Sequence, residues 1–62
     1  GRSPHAYVTA RRIARAKPLL ADPRIPLADI AYMLGFSSQS HFSSAFAAAT
    51  GTTPSAFRRA AR

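Results

Sequence analysis

The sequence predicts a small all-α domain of about four helices, and three observations lead there. No stretch alternates polar and apolar residues with the period of two that a half-buried strand requires. Proline and glycine cut the 62 residues into segments of helical length. Two hydroxyl-proline pairs, Ser3-Pro4 and Thr53-Pro54, have the form of helix starts, where the missing proline N–H costs nothing.

The first helix is expected from Pro4 to about Leu20, capped by Ser3. At 100° per residue, Ala6, Ala10, Ile13, Ala16 and Leu20 fall on one side, with Arg11, Arg12 and Arg15 opposite. Pro18 conflicts with this, because its ring clashes with the Ala14 carbonyl and removes a hydrogen bond. The helix is therefore expected to kink there or to end near Lys17. Asp22-Pro23 marks a turn over 21–25. Pro26 then opens a second helix to Leu34, with Leu27, Ile30, Ala31 and Leu34 buried and Asp29 in its first turn. Gly35 stops it. Phe36 plugs the joint, and Ser37 or Ser38 caps a third helix reaching about Ala49. After Thr50-Gly51-Thr52, a short fourth helix from Pro54 to about Ala60 carries Phe57 inward and Arg58 and Arg59 outward.

A chain this short buries only about 60% of its unfolded surface. Its core must come from Ile13, Leu19, Leu20, Leu27, Ile30, Leu34 and the four phenylalanines, since alanine buries little. Without cysteine there is neither a disulfide nor a thiolate metal site, which agrees with a reducing cytoplasm. No apolar run approaches the roughly 18 residues of a membrane span, so a soluble, cytoplasmic protein with no membrane partner is expected. Nine basic residues against two acids give a net charge of +7 and a pI near 11.8. The commonest soluble partner for such a field is nucleic acid. The plainer reading is arginine-rich usage, with the balancing acids elsewhere in a longer chain.

Enzymatic chemistry finds no support. Asp22 and Asp29 lie on different segments, and Ser, His and Asp form no nucleophile–base arrangement. His5 and His41 lack metal-ligand spacing, so no metal or cofactor is expected. An arginine-rich membrane-surface helix is disfavoured, because an alanine face offers too little area to insert.

The informative stretch runs from Ile30 to Phe46. Ala31 is small enough for two helices to cross, Gly35 four residues later permits a sharp turn, and Phe36, Phe42 and Phe46 anchor the second helix. These are the requirements of a helix-turn-helix of homeodomain-like form. Phe42, Ala45, Phe46 and Ala49 then face the core, while Ser40, Ser43, Ser44 and Ala47 face out, flanked by Gln39 and His41. Such a slim face fits a major groove, where Gln39 suits adenine and serine suits several base edges or a phosphate. It equally suits a plain solvated surface.

Gly35-Phe36-Ser37-Ser38-Gln39-Ser40-His41-Phe42-Ser43, with Phe46 and Gly51-Thr52-Thr53-Pro54-Ser55-Ala56-Phe57-Arg58, resembles the signature of the AraC/XylS family of transcription regulators. Tyr7-Val8, Arg12-Ile13, Ala16, Leu19-Leu20 and Ile30-Ala31 match the helices before and within it. The resemblance implies a DNA-binding domain of two helix-turn-helix units joined by a central helix, in which residues 1–20 end the first unit and form the central helix. Residues 26–60 are then the second unit with its C-terminal helix. It further implies sequence-specific binding of double-stranded DNA through a recognition helix over about 38–49. Gln39, Ser40, His41, Ser43 and Ser44 would contact bases or the groove. Family members also touch RNA polymerase and carry an effector-ligand domain, which lies outside this sequence; a polymerase-contacting module with little DNA readout is the rival reading. The sequence departs from the family at Ser44, Ala47 and Ala48, where cations are common, which predicts weaker phosphate and guanine contacts.

The remaining polar groups have plainer alternatives. Ser38, Arg58 and Arg59 are candidates for phosphate, although Arg58, Arg59 and Arg62 also complement a helix end. Arg11 and Arg15 face DNA or solvent, and Arg12 is expected to pair with Asp29. Finally, Gly1–Tyr7 and Gly51–Phe57 share one pattern: Gly, any residue, hydroxyl, Pro, any residue, Ala, aromatic. Two related units, or two unrelated capped starts, explain it.

Overall fold

Alanine, arginine, lysine and leucine, the strongest helix formers, dominate the first third of the chain. That segment is helical throughout as α1 (Pro4–Leu20) in the computed structural model, which describes residues 4–61. The Ser3 cap and the start of the Gly1–Tyr7 pattern lie outside the described residues, as does Arg62. Three further helices follow: α2 (Leu27–Met33), α3 (Gln39–Thr50) and α4 (Pro54–Ala60). The fold is all-α, as the sequence predicts.

α1 passes through Pro18, so the early end at Lys17 does not occur. Burial explains the extension. Leu20 is fully buried and Leu19 partly so, which draws the last turn into the core. The Ala21 N–H still reaches the Lys17 carbonyl at 3.2 Å, so the chain leaves the helix hydrogen-bonded. The turn after it is held by Asp22, whose Oδ1 accepts from the Arg24 backbone N–H at 3.0 Å and from Arg24 Nε at 3.1 Å. Hydrogen bonds from the Arg24 side chain, then from its backbone, hold the Asp22 carboxyl below its ordinary value. The small stabilisation this gives is present above the ordinary carboxylate range and is lost as pH falls through the lowered value.

The core is one cluster in which Ile13, Ala16 and Leu20 of α1 meet Ile30, Ala31 and Leu34 around α2, with Phe36 between the helices and Phe42 and Phe46 from α3. The rings form a continuous series. Phe36 lies 5.4 Å from Phe42, Phe42 5.9 Å from Phe46, and Phe46 5.4 Å from Phe57 of α4. Offset and edge contacts of this kind add to the area term. Leu27 and Phe57, expected inside, are partly buried against this cluster.

Three expected faces need correction. Ala6 is exposed and Ala10 half-buried, because α2, α3 and α4 pack on the C-terminal half of α1 and leave its first turns projecting. Ala49 is exposed, because it borders a groove of about 580 Å³ where alanines of α1 and α3 are too short to meet. Ser43 and Ala47 are half-buried rather than fully outward. Tyr7 is 56% exposed, whereas its counterpart in the repeated pattern, Phe57, joins the core.

Candidate nucleic-acid interface

The joint between α2 and α3 is built from backbone outward. Leu34 closes α2, Gly35 takes φ +88°, and the Phe36 N–H reaches back to the Ala31 carbonyl at 3.0 Å while the Gly35 N–H reaches Tyr32 at 3.0 Å. This paired closure is the Schellman arrangement, which needs a left-handed residue after the cap. Arg12 of α1 braces it from the other side. Its guanidinium lies over the Phe36 ring at 5.6 Å, and its Nη2 would stand 3.2 Å from a Cβ placed on Gly35. The expected Arg12–Asp29 pair does not form; among the described residues the ion pair is Arg24–Asp22. A guanidinium is weakly hydrated and stacks on rings, so Phe36 holds Arg12 where a distant carboxylate does not.

Ser38, in extended backbone, caps α3 by accepting from the His41 N–H at 3.0 Å. Ser37 instead places its Oγ 3.1 Å from His41 Nδ1. At the far end Gly51 takes φ +79°, and the Thr50 hydroxyl donates to the Phe46 carbonyl at 2.8 Å. Ser38→Ala is expected to cost about 1 kcal/mol, the usual worth of such a cap. A urea midpoint equal to that of the parent chain would show that the cap contributes nothing.

α3 presents Gln39, Ser40, His41 and Ser44 to solvent, with Ser43 half-buried beside them. Ser40 and Ser44, four residues apart, form one row of the outer face. The helix is roughly 18 Å long, and serines and alanines make up most of its outer face beside Gln39 and His41, so it fits a groove about 12 Å wide. Burial of Phe42 and Phe46 at zero exposure fixes the opposite face and so aims this one outward.

The cations divide. Arg58 donates through Nε to the Leu20 carbonyl at 3.0 Å, and through Nη2 to Asp22 at 3.2 Å and Ile25 at 2.6 Å. It is half-buried. The expected phosphate grip therefore gives way to a structural role: Arg58 satisfies the carbonyls left by the end of α1 and the following turn. Arg59 is exposed, as are Arg11 and Arg15. Sequence reasoning missed the Ser37–His41 contact, although their spacing of four was visible.

A helix-turn-helix domain family matches residues 1–60. The chain belongs to the AraC/XylS-type helix-turn-helix family. It is a DNA-binding domain of the transcription-regulator class. Among its relatives, the probable transcriptional regulator LumQ of Photobacterium leiognathi is 43% identical over 58 residues, covering 94% of this chain and 23% of that protein. The virulence regulon transcriptional activator VirF of Yersinia enterocolitica is likewise 43% identical over 58 residues, 94% of this chain and 21% of VirF. The arabinose operon regulatory protein of Escherichia coli is 44% identical over 48 residues, 77% of this chain and 16% of that protein. The chain thus spans less than a quarter of the length of these relatives. No solved structure matches it at a significant level. Among the described residues, no helix is long and apolar enough to cross a membrane.

Proposed function

We propose that this domain binds duplex DNA in the cytoplasm as the second of two helix-turn-helix units, with no catalytic role, and that α3 docks in the major groove. Residues 1–20 would end the first unit and join it to the second, which occupies 26–60. Gln39, Ser40, His41, Ser43 and Ser44 would meet base edges or groove walls, and Ser38 and Arg59 would meet phosphate. One observation carries this reading: the outer face of α3 carries Gln39, serines and His41 with no lysine or arginine, while its inner face is locked by Phe42 and Phe46. The exposed arginines supply the attraction that a reading face without lysine or arginine lacks.

The test is titration of the 62-residue chain with duplex DNA at several salt concentrations. With the other unit missing, binding is expected in the non-specific range of ~10⁻⁴–10⁻⁶ M, with log K falling against log salt at about −0.9 per phosphate neutralised. Arg59→Glu should flatten that slope for every duplex alike. A chain that leaves DNA unbound at low salt but still binds RNA polymerase would establish the polymerase-contacting reading instead.

A further inference from the structure

The residues of α3 differ in what they offer a base. Gln39 presents a donor and an acceptor together, serine hydroxyls take either part, and no lysine or arginine occurs in the helix. His41 is the one whose offer depends on which ring nitrogen carries the proton. Its ring is not left free. The Ser37 hydroxyl sits 3.1 Å from Nδ1, the Phe36 ring stands edge-on at 5.2 Å and 85°, and the His41 N–H is tied to Ser38 at 3.0 Å.

We propose that Ser37 is a positioning residue that holds His41 with its proton on Nε2, and that this donor selects guanine in the major groove. The proposal rests on α3 being the recognition helix. In neutral imidazole, Ser37 donates its hydroxyl proton to bare Nδ1, and the ring proton then resides on Nε2. In the doubly protonated ring Ser37 accepts from Nδ1–H, and Nε2 still carries hydrogen. Both arrangements present a donor on the edge of the ring away from Ser37. The remaining tautomer would turn a bare Nε2 lone pair toward a polyanion whose groove edges and phosphates are rich in acceptors. Guanine shows two adjacent acceptors, N7 and O6, in the major groove, whereas adenine sets a donor beside its N7 and thymine a methyl beside its O4. The usual partner of guanine is arginine. With none on α3, His41 offers that base a donor with no acceptor beside it.

Two measurements on the 62-residue chain test this separately. Imidazole ¹⁵N spectra at about pH 9, above the ordinary histidine range, should show the Nε2–H tautomer in the free protein. Ser37→Ala should shift the ring toward a mixture of tautomers while the helical circular dichroism stays the same. A dominant Nδ1–H form, or spectra indifferent to Ser37→Ala, overturns the positioning role. Selection from a randomised duplex pool should yield guanine at one base pair, with a preference that falls about fivefold in Ser37→Ala and in His41→Phe, the worth of roughly one hydrogen bond. A base preference that His41→Phe leaves intact overturns this proposal while the recognition helix stands. Salt-dependent binding with no preference at any position overturns guanine selection while DNA binding stands, and a chain that leaves every duplex unbound at low salt overturns both.

Discussion

Arg58→Ala should lower the unfolding free energy by about 3 kcal/mol, because hydrogen bonds from a charged donor are worth roughly 1.5–3 kcal/mol each and water compensates part of the loss. The guanidinium spans three carbonyls on two successive segments, those of Leu20, Asp22 and Ile25. Removing it strands acceptors at the end of α1, where Pro18 has already weakened the hydrogen-bond ladder. Domains of this size seldom hold more than about 3–5 kcal/mol in total, so much of the folded population should be lost at room temperature. Arg58→Lys should recover little, since an ammonium on a flexible stem does not reproduce the planar fork. The exposed neighbour provides the contrast: Arg59→Ala should leave chemical denaturation unchanged while weakening DNA binding. If Arg58→Ala denatures with the parent midpoint, the three hydrogen bonds carry no net stability.

Gly35→Val should be comparably damaging, at about 3 kcal/mol, through strain rather than a lost contact. A β-branched residue at φ +88° is a severe backbone outlier, and such positions cost of order 1–3 kcal/mol before any clash is added. The added Cβ would also meet Arg12 Nη2 at 3.2 Å. That side chain can yield by a few tenths of an ångström, but yielding disturbs its stack on Phe36. Gly51 separates the two effects: it has φ +79° with nothing within 4 Å of a built Cβ. Gly51→Ala should therefore cost only about 1 kcal/mol. Equal thermal midpoints for Gly35→Val and Gly51→Ala would show that the joint tolerates the strain and that Arg12 does not brace it.

Much of the architecture was legible because local chemistry and packing agree. Gly35, Ser38, Thr53-Pro54 and Gly51 act as stop, cap, cap-plus-start and stop, each for a reason internal to a few residues. The phenylalanine anchors were visible from their spacing. The errors lie where distant parts of the chain decide. Pro18 by its own sterics predicts a kink or an end, yet burial of Leu20 keeps it within α1. By sequence Arg58 is a surface cation, because nothing near it reveals a turn more than thirty residues earlier. Opposite charge alone matches Arg12 to Asp29, but a ring next to Gly35 takes it instead. Periodicity placed Ala49 on the inner face without showing that its neighbours across the groove are also too small to cover it. In the candidate interface, the outward set on α3 followed from the anchors, with Ser43 more covered than expected.

The reach of Arg58 across 33 to 38 positions has a bearing on how the domain is made. A ribosome delivers the first joint of the chain long before the cation that completes it. Until that side chain emerges, the three carbonyls of the elbow after α1 lack the donor that joins them. Synthesis from the amino end therefore leaves this elbow open until α4 arrives, as a band stays loose until its clasp is fastened.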